Sequence, residues 1–190
     1  MQWNNILWPM IKGADFSRTI DLAAGHGRNS ARLLPHTDKL IIADINDSNI
    51  EFCRARFGNE PKISFIKNNG FDLRELEDHS ITFVYCFDAM VHFDSDVVRS
   101  YIKEFKRIMS PGATGFCHYS NNYHSPTKSY TDHPGWRNFM SRQLFEHWLA
   151  KEGFDVLESR YVSGVCEFIV SDNGNCDAVT LFQSPKFLTA

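Results

Sequence analysis

At 190 residues, with 43% hydrophobic and 14% aromatic side chains, the chain holds enough apolar material for one domain with a full core. A formal charge of −3 and the lack of any run of like charge argue against a nucleic-acid partner, which needs a basic face. No apolar run approaches the ~20 residues of a membrane span, the N-terminus lacks a signal-peptide layout, and five cysteines without a CxxC pair suit a reduced, cytoplasmic protein with no membrane partner.

Residues 1–18 place Trp3, Ile6, Leu7, Trp8, Met10 and Ile11 around Pro9, which predicts a short helical cover over the sheet or pocket. A buried strand follows over about 18–23, then the very small turn Ala23-Ala24-Gly25-His26-Gly27 and a helix from Gly27 to Leu34, ended by Pro35. A turn this stripped of side chains lets a ligand approach the backbone, and the N–H groups opening a helix suit an anionic group. Lys39–Asp44 is an apolar run closed by an acid, as in a buried parallel strand. Asn46, Asp47 and Ser48 offer caps for a helix over about 48–57, stopped by Gly58.

Ile63–Ile66 reads as a third strand with the polar exit Asn68-Asn69-Gly70-Phe71-Asp72, and Ile81–Phe87 as a fourth. Asp94 or Ser95 caps a helix over about 95–109, whose apolar residues recur at helical spacing. Ser110-Pro111-Gly112 turns into a fifth strand over about 113–119. The polar stretch 120–137 breaks the rhythm and reads as a functional insertion. A helix capped by Ser141 runs to about 152, and two strands, Phe154–Tyr161 and Asp177–Phe182, close the chain around the hairpin-type turn Asp172-Asn173-Gly174. The alternation predicts a single α/β domain over 1–190. It is a three-layer sandwich on a mostly parallel seven-stranded sheet with one antiparallel strand.

In such sheets ligands bind at the carboxyl ends of the strands. Those ends carry Asp21 to Gly27, Asp44-Ile45, Asn69-Gly70-Phe71, Phe87-Asp88 and His118-Tyr119. An acid at the end of the second strand can accept both hydroxyls of a ribose. A nicotinamide dinucleotide fits poorly: Ser30 stands where its fingerprint wants a third glycine, and Asp21 would face pyrophosphate.

In these motifs the chain resembles the class I S-adenosylmethionine-dependent methyltransferases, closely over residues 18–120 and loosely beyond. Asp21-Leu-Ala-Ala-Gly25-His-Gly27 resembles the family's first motif, Asp44 its ribose-binding acid and Asn69 the polar residue that contacts the adenine amino group. The segment Phe87–Phe93 resembles the one beside the methionine moiety, and Arg107–Gly112 the turn before the fifth strand. Ala23 departs from the family's first glycine, and Asn69 from its common aspartate.

The resemblance implies a Rossmann-like fold and S-adenosyl-L-methionine as cofactor. Gly25 and Gly27 would pass the methionine part and Asp21 would bind its ammonium end, directly or through water. Ala23, Ile45, Gly70 and Asp88 would border the site, the Phe87 carbonyl would face the ammonium, and Phe71 would lie by the adenine. Methyl transfer to a hydroxyl also needs a base, and His92 and His118 are the candidates at the pocket rim, with His92 ahead. Their spacing with Asp94 and His124 matches no compact metal motif. Tyr119, Asn121, Tyr123, His124, Trp136 and Arg137 would line the acceptor side, with Arg137 placed to pair an acceptor carboxylate or phosphate. The expected activity is transfer of a methyl group to a small polar acceptor, on oxygen first and nitrogen next. A subunit that binds the cofactor without turnover is the alternative from another class. A short N-terminal cap leaves the site open, shared with a second copy in a homodimer, or suited to a large acceptor.

Overall fold

The computed structural model describes residues 2–124, 126–128, 130–133, 135–163, 167–172 and 174–186. Asn173 of the expected closing turn, and Cys166, lie outside these.

Two apolar faces on alternating strand residues dictate three layers. Strands β1 (Arg18–Leu22), β2 (Lys39–Asp44), β3 (Ile63–Lys67), β4 (Ile81–Cys86) and β5 (Met109–Asn122) run parallel. On one face Ile20, Leu22, Ile41, Val84 and Cys86 pack against the apolar sides of two helices. These are α4 (Ser95–Ile108) and α5 (Arg142–Lys151). On the other face Leu40, Ile42, Phe83, Tyr85 and Phe116 meet Leu33, Cys53 and the N-terminal cluster of Trp3, Ile6, Leu7 and Met10. That cluster comes from the turn Trp3–Leu7 and from α1 (Trp8–Ile11), the predicted cover. Leu33 belongs to α2 (Ser30–Leu33) and Cys53 to α3 (Asp47–Phe57).

The sheet order is β3-β2-β1-β4-β5-β8-β6-β7. The winding therefore reverses between β1 and β4. β6 (Asp155–Val162) and β8 (Asn175–Gln183) form the closing pair, with β8 antiparallel to both β5 and β6. The two-residue strand β7 (Phe168–Ile169) pairs antiparallel with β6 and makes the sheet eight-stranded, one more than the seven expected. It runs in the same sense as β8, so the sheet carries two antiparallel strands where one was expected.

Two of the three expected caps close, whereas Asn46 stands at the N-cap of α3 without a side-chain cap bond. Asp94 accepts the Asp96 N–H at the start of α4, and Ser141 accepts the Leu144 N–H at the start of α5. Two boundaries differ. The helix expected from Gly27 begins only at Ser30, because 23–29 are spent in consecutive turns, and Pro35 sits in the tighter turn Leu34–His36 that follows. β5 runs on to Asn122 because nine residues of β8, Asn175–Gln183, ladder against it. The expected turn at Ser110–Gly112 survives as a break in register, where Ile81 pairs with Met109 but Phe83 with Thr114.

The core beneath β5 depends on stacked rings: Tyr119 lies 3.9 Å from Phe145, both fully buried. Phe145→Ala should cost about 3–5 kcal/mol through lost burial and an unfilled cavity, measured as a shift in the denaturant midpoint at unchanged slope.

Candidate active site

The loop after β1 and the ends of β2, β3 and β4 enclose one cleft at the point where the winding reverses. Ala23, Asp44, Ile45, Gly70, Phe71 and Asp88 border a cavity of about 420 Å³. His92 borders it too, as do Asn68 and Tyr101, which the sequence reading missed. A second recess of about 340 Å³ adjoins it, bordered by Ala24, Gly25, Arg28, Phe87 and Asp88 among others.

Asp44 is the anchor of the loop. Its Oδ2 accepts the Gly25 N–H at 2.8 Å, and its Oδ1 accepts the Asn46 N–H at 2.9 Å and the Asn49 amide at 3.0 Å. Oδ2 therefore keeps acceptor capacity for a hydroxyl, whereas Oδ1 is filled while Asn49 holds it. At Gly25, φ is +55°, and an added Cβ would have no heavy atom within 4 Å, so the backbone faces open space. Gly27 plays a different part from the one expected. A Cβ there would lie 2.6 Å from the Phe57 ring, so Gly27 seats the loop on α3.

Asp21 lies beneath the loop, away from the cleft wall, with the Ser30 hydroxyl donating to it at 2.5 Å. It therefore supports the loop from below. Burial pushes its carboxyl up to about 7, with the nearby Asp44 charge adding to the rise and the Ser30 bond opposing it.

The structure also exchanges two neighbours after β3. Asn69 is turned back on its own loop: its Oδ1 accepts the N–H groups of Phe71 and Asp72, and its amide donates to Asp72. Asn68 borders the cavity instead, its amide donating to the Tyr101 hydroxyl at 2.9 Å while its buried Oδ1 has no partner. The β3 alternation could have signalled this, since 64, 66 and 68 share one face and Ile66 packs toward α4.

The two histidines part company. His118 is 0% exposed, four residues inside the lengthened β5 and not at its end. Its ring stacks on Phe87, Nδ1 accepts the Asp88 N–H at 3.2 Å, and Nε2 faces Asp177 Oδ2 at 3.3 Å. With Nδ1 accepting, the proton sits on Nε2, and neither nitrogen is left to take a proton from an acceptor. His92 borders the cleft with Nδ1 2.7 Å from the Trp136 carbonyl oxygen. A carbonyl only accepts, so Nδ1 carries the proton and the Nε2 lone pair remains available.

The acceptor-side expectations are redistributed likewise. Tyr119 is in the core, its hydroxyl bonded to Thr180. Asn121 is buried and braces the closing strands through Asp172, Cys176 and the Arg142 N–H. Tyr123 lies against His124, ring centroids 4.6 Å apart. Trp136 is 63% exposed. Arg137 grips the buried Asp177 with two bonds of 2.9 and 2.7 Å, so its charge is met within the protein and not by an acceptor anion. Among the described residues no group of three or more His, Cys, Asp or Glu could hold a metal, and no helix is long and apolar enough to cross a membrane.

Residues 20–112 match the family described as a methyltransferase domain. Over those residues the chain carries a methyltransferase domain, and its sheet is the Rossmann-like methyltransferase fold. Among curated proteins none matches its sequence. Among solved structures, the S-adenosylmethionine-dependent methyltransferase of Clostridium acetobutylicum is similar over 97% of this chain and 91% of its own, at 14% identity and a TM-score of 0.74. That of Mesorhizobium loti is similar over 92% and 94%, at 16% identity and 0.73. The [4+2]-cyclase SpnF is similar over 94% and 79%, at 15% identity and 0.70, so the fold by itself does not fix the chemistry.

The cleft of this methyltransferase fits its cofactor on three observations. Asn68 Oδ1 is an orphaned acceptor for an amino group, the branched Ile45 and the flat Phe71 stand 52% and 58% exposed as apolar flanks, and the backbone at Gly25 is open to close approach.

Ala23 takes φ +55° in place of the family's glycine, a conformation that crowds its Cβ. Ala23→Gly should therefore raise unfolding free energy by about 1 kcal/mol in chemical denaturation. The buried Asp21 gives a second expectation. Its folded value near 7 exceeds the ordinary 3.8, so stability should fall as pH rises between these limits and level off above pH 7. The total is on the order of 4 kcal/mol, and Asp21→Asn should abolish the slope in pH-resolved denaturation.

Proposed function

We propose that this methyltransferase moves a methyl group to oxygen on a small polar acceptor, with His92 as general base. The observation that carries the reading is the hydrogen bond from His92 Nδ1 to the Trp136 carbonyl. It fixes the tautomer that leaves Nε2 able to accept a proton at the wall of the cofactor cavity. The backbone of His92 is held as well: Asn138 donates its amide to the His92 carbonyl at 2.8 Å and its N–H to the Val91 carbonyl at 3.1 Å. A base fixed at ring and backbone loses little freedom when an acceptor arrives.

Bound S-adenosylmethionine supplies an electrophilic methyl on a sulfonium centre. The chain's own residues then hold and orient the reactants. Asp44 Oδ2 would accept a ribose hydroxyl and Asn68 Oδ1 the adenine amino group, while Ile45 and Phe71 flank the base and the open backbone at Gly25 passes the methionine end. His92 Nε2 would take the hydroxyl proton of the acceptor. We read the enzyme as cytoplasmic, in keeping with buried, unbridged thiols at Cys53, Cys86, Cys117 and Cys176.

Calorimetry with S-adenosylmethionine and its demethylated product tests the cofactor assignments. Asp44→Ala and Asn68→Leu should each weaken binding, and Asn69→Ala should weaken it less than either. His92→Gln should leave affinity near wild type and lower kcat by roughly 10²–10⁴ with a hydroxyl acceptor. Undiminished turnover in His92→Gln would remove the base and favour a nitrogen acceptor.

A further inference from the structure

The cofactor cleft carries two buried polar side chains side by side, Asn68 from the exit of β3 and Tyr101 from α4, with Phe93 and Val97 beside them. We propose that this pair reads the base of the cofactor: Tyr101 donates its hydroxyl to a ring nitrogen flanking the amino group that Asn68 Oδ1 accepts, and the cleft thereby selects adenine over purines with oxygen in place of that amino group. The proposal rests on the methyltransferase reading above and adds Tyr101 as the residue that determines base specificity.

Placement is the first argument. Tyr101 belongs to the buried stripe of α4, with Val98, Ile102 and Phe105, and is 2% exposed. Its ring is tilted against Phe93 at 5.8 Å and stacked on Phe105 at 6.3 Å, so it is the hydroxyl end that meets the cleft. Asn68 is tied to the ribose anchor, its backbone N–H donating to the Asp44 carbonyl at 3.1 Å. A purine joined to a ribose at Asp44 is thereby brought beside the pair.

Unmet hydrogen bonding is the second. Packing alone would be served by a phenylalanine at 101, since a buried hydroxyl costs free energy unless it is bonded. The hydroxyl receives the Asn68 amide at 2.9 Å, and that one bond leaves a remainder on each side. Asn68 Oδ1 is buried without a partner. Among the described residues the Tyr101 hydroxyl bonds to Asn68 alone, and there it is the acceptor, so its own proton is unspent. One donor and one acceptor therefore stand together at the wall of the cleft. Burial raises the Tyr101 hydroxyl above its ordinary range, with the Asn68 bond opposing the rise, so the proton stays in place at ordinary pH.

Chemical match is the third. Adenine presents the complement of this pair, an amino donor with a ring-nitrogen acceptor on either side, N1 and N7. Hypoxanthine and guanine carry an oxygen at that position. It would face Asn68 Oδ1 as one acceptor against another, with no proton between them. A site built to bond a ligand N–H discriminates strongly against the analogue that lacks it, because the site's own buried groups are then left unmet.

Calorimetry on wild type, Tyr101→Phe and Asn68→Leu tests the pair without reference to any acceptor. The ligands are the demethylated cofactor, its inosine analogue, and analogues with carbon in place of N1 or of N7. For wild type, the inosine change and the loss of one of the two nitrogens should each lower affinity roughly five- to a hundredfold. Tyr101→Phe keeps the ring and its stacking. In that variant the same nitrogen should become immaterial, its removal costing less than about twofold. In Asn68→Leu the penalty for the inosine analogue should shrink. Wild type indifferent to both nitrogens would overturn the proposal, and this arm depends on no variant. So would an equal loss for every ligand in Tyr101→Phe, which is the mark of a purely structural role. Tighter binding of the inosine analogue would also overturn it, since the amide would then present its N–H to the base. Failure of wild type to bind the demethylated cofactor would instead remove the methyltransferase reading beneath it.

Discussion

A parallel sheet can be extended to either side of its first strand, but only at the cost of an opening where the two directions part. Here β2 and β3 lie to one side of β1, and β4 and β5 to the other. Every residue argued to meet the cofactor lies on a loop or strand end at that opening, and neighbouring elements brace it. The Gly25–Asp44 hydrogen bond is the stitch across the opening's floor, tying the turn after β1 to the end of β2. Gly27 against Phe57 then settles the same turn onto α3, and Asp21 with Ser30 supports it from below.

Acidic side chains do much of this work, and their surroundings separate their roles. Asp44 is buried yet accepts three donors, so it stays fixed with one position to spare. Asp21 is buried with a single hydroxyl and holds its proton far more tightly than usual. Asp88 meets Arg28 at the surface, where an ion pair contributes little, and it is its backbone N–H that matters, through His118. Asp177 is enclosed by His118 and Arg137 and remains charged. The same carboxylate group thus serves as clamp, buried prop, rim charge and cornerstone.

The parallel part of the fold was legible because its signals are local: an apolar run closed by Asp44, caps at Asp94 and Ser141, a turn at Gly25. Ala23, Asp44, Ile45, Gly70, Phe71 and Asp88 line the cleft from the strand ends where the sequence sets them, and the exchange of Asn69 for Asn68 turns on the face alternation along β3. The acceptor side was less legible, for a physical reason. His118 and Asp177 are diagonal neighbours only because His118 pairs with Val179 and Ser120 with Asp177 in the β5–β8 ladder. That register joins residues about sixty apart, and the length it adds to β5 moves His118 and Tyr119 from a strand end into the interior. Nothing in either segment alone states it.

Trp136 holds His92 by its backbone carbonyl while its indole stands in solvent, at φ +54°. The tether therefore runs through the main chain, and the side chain bears on it only through the left-handed backbone this position adopts. Contact with solvent and the hold on His92 are thus carried by separate parts of one residue.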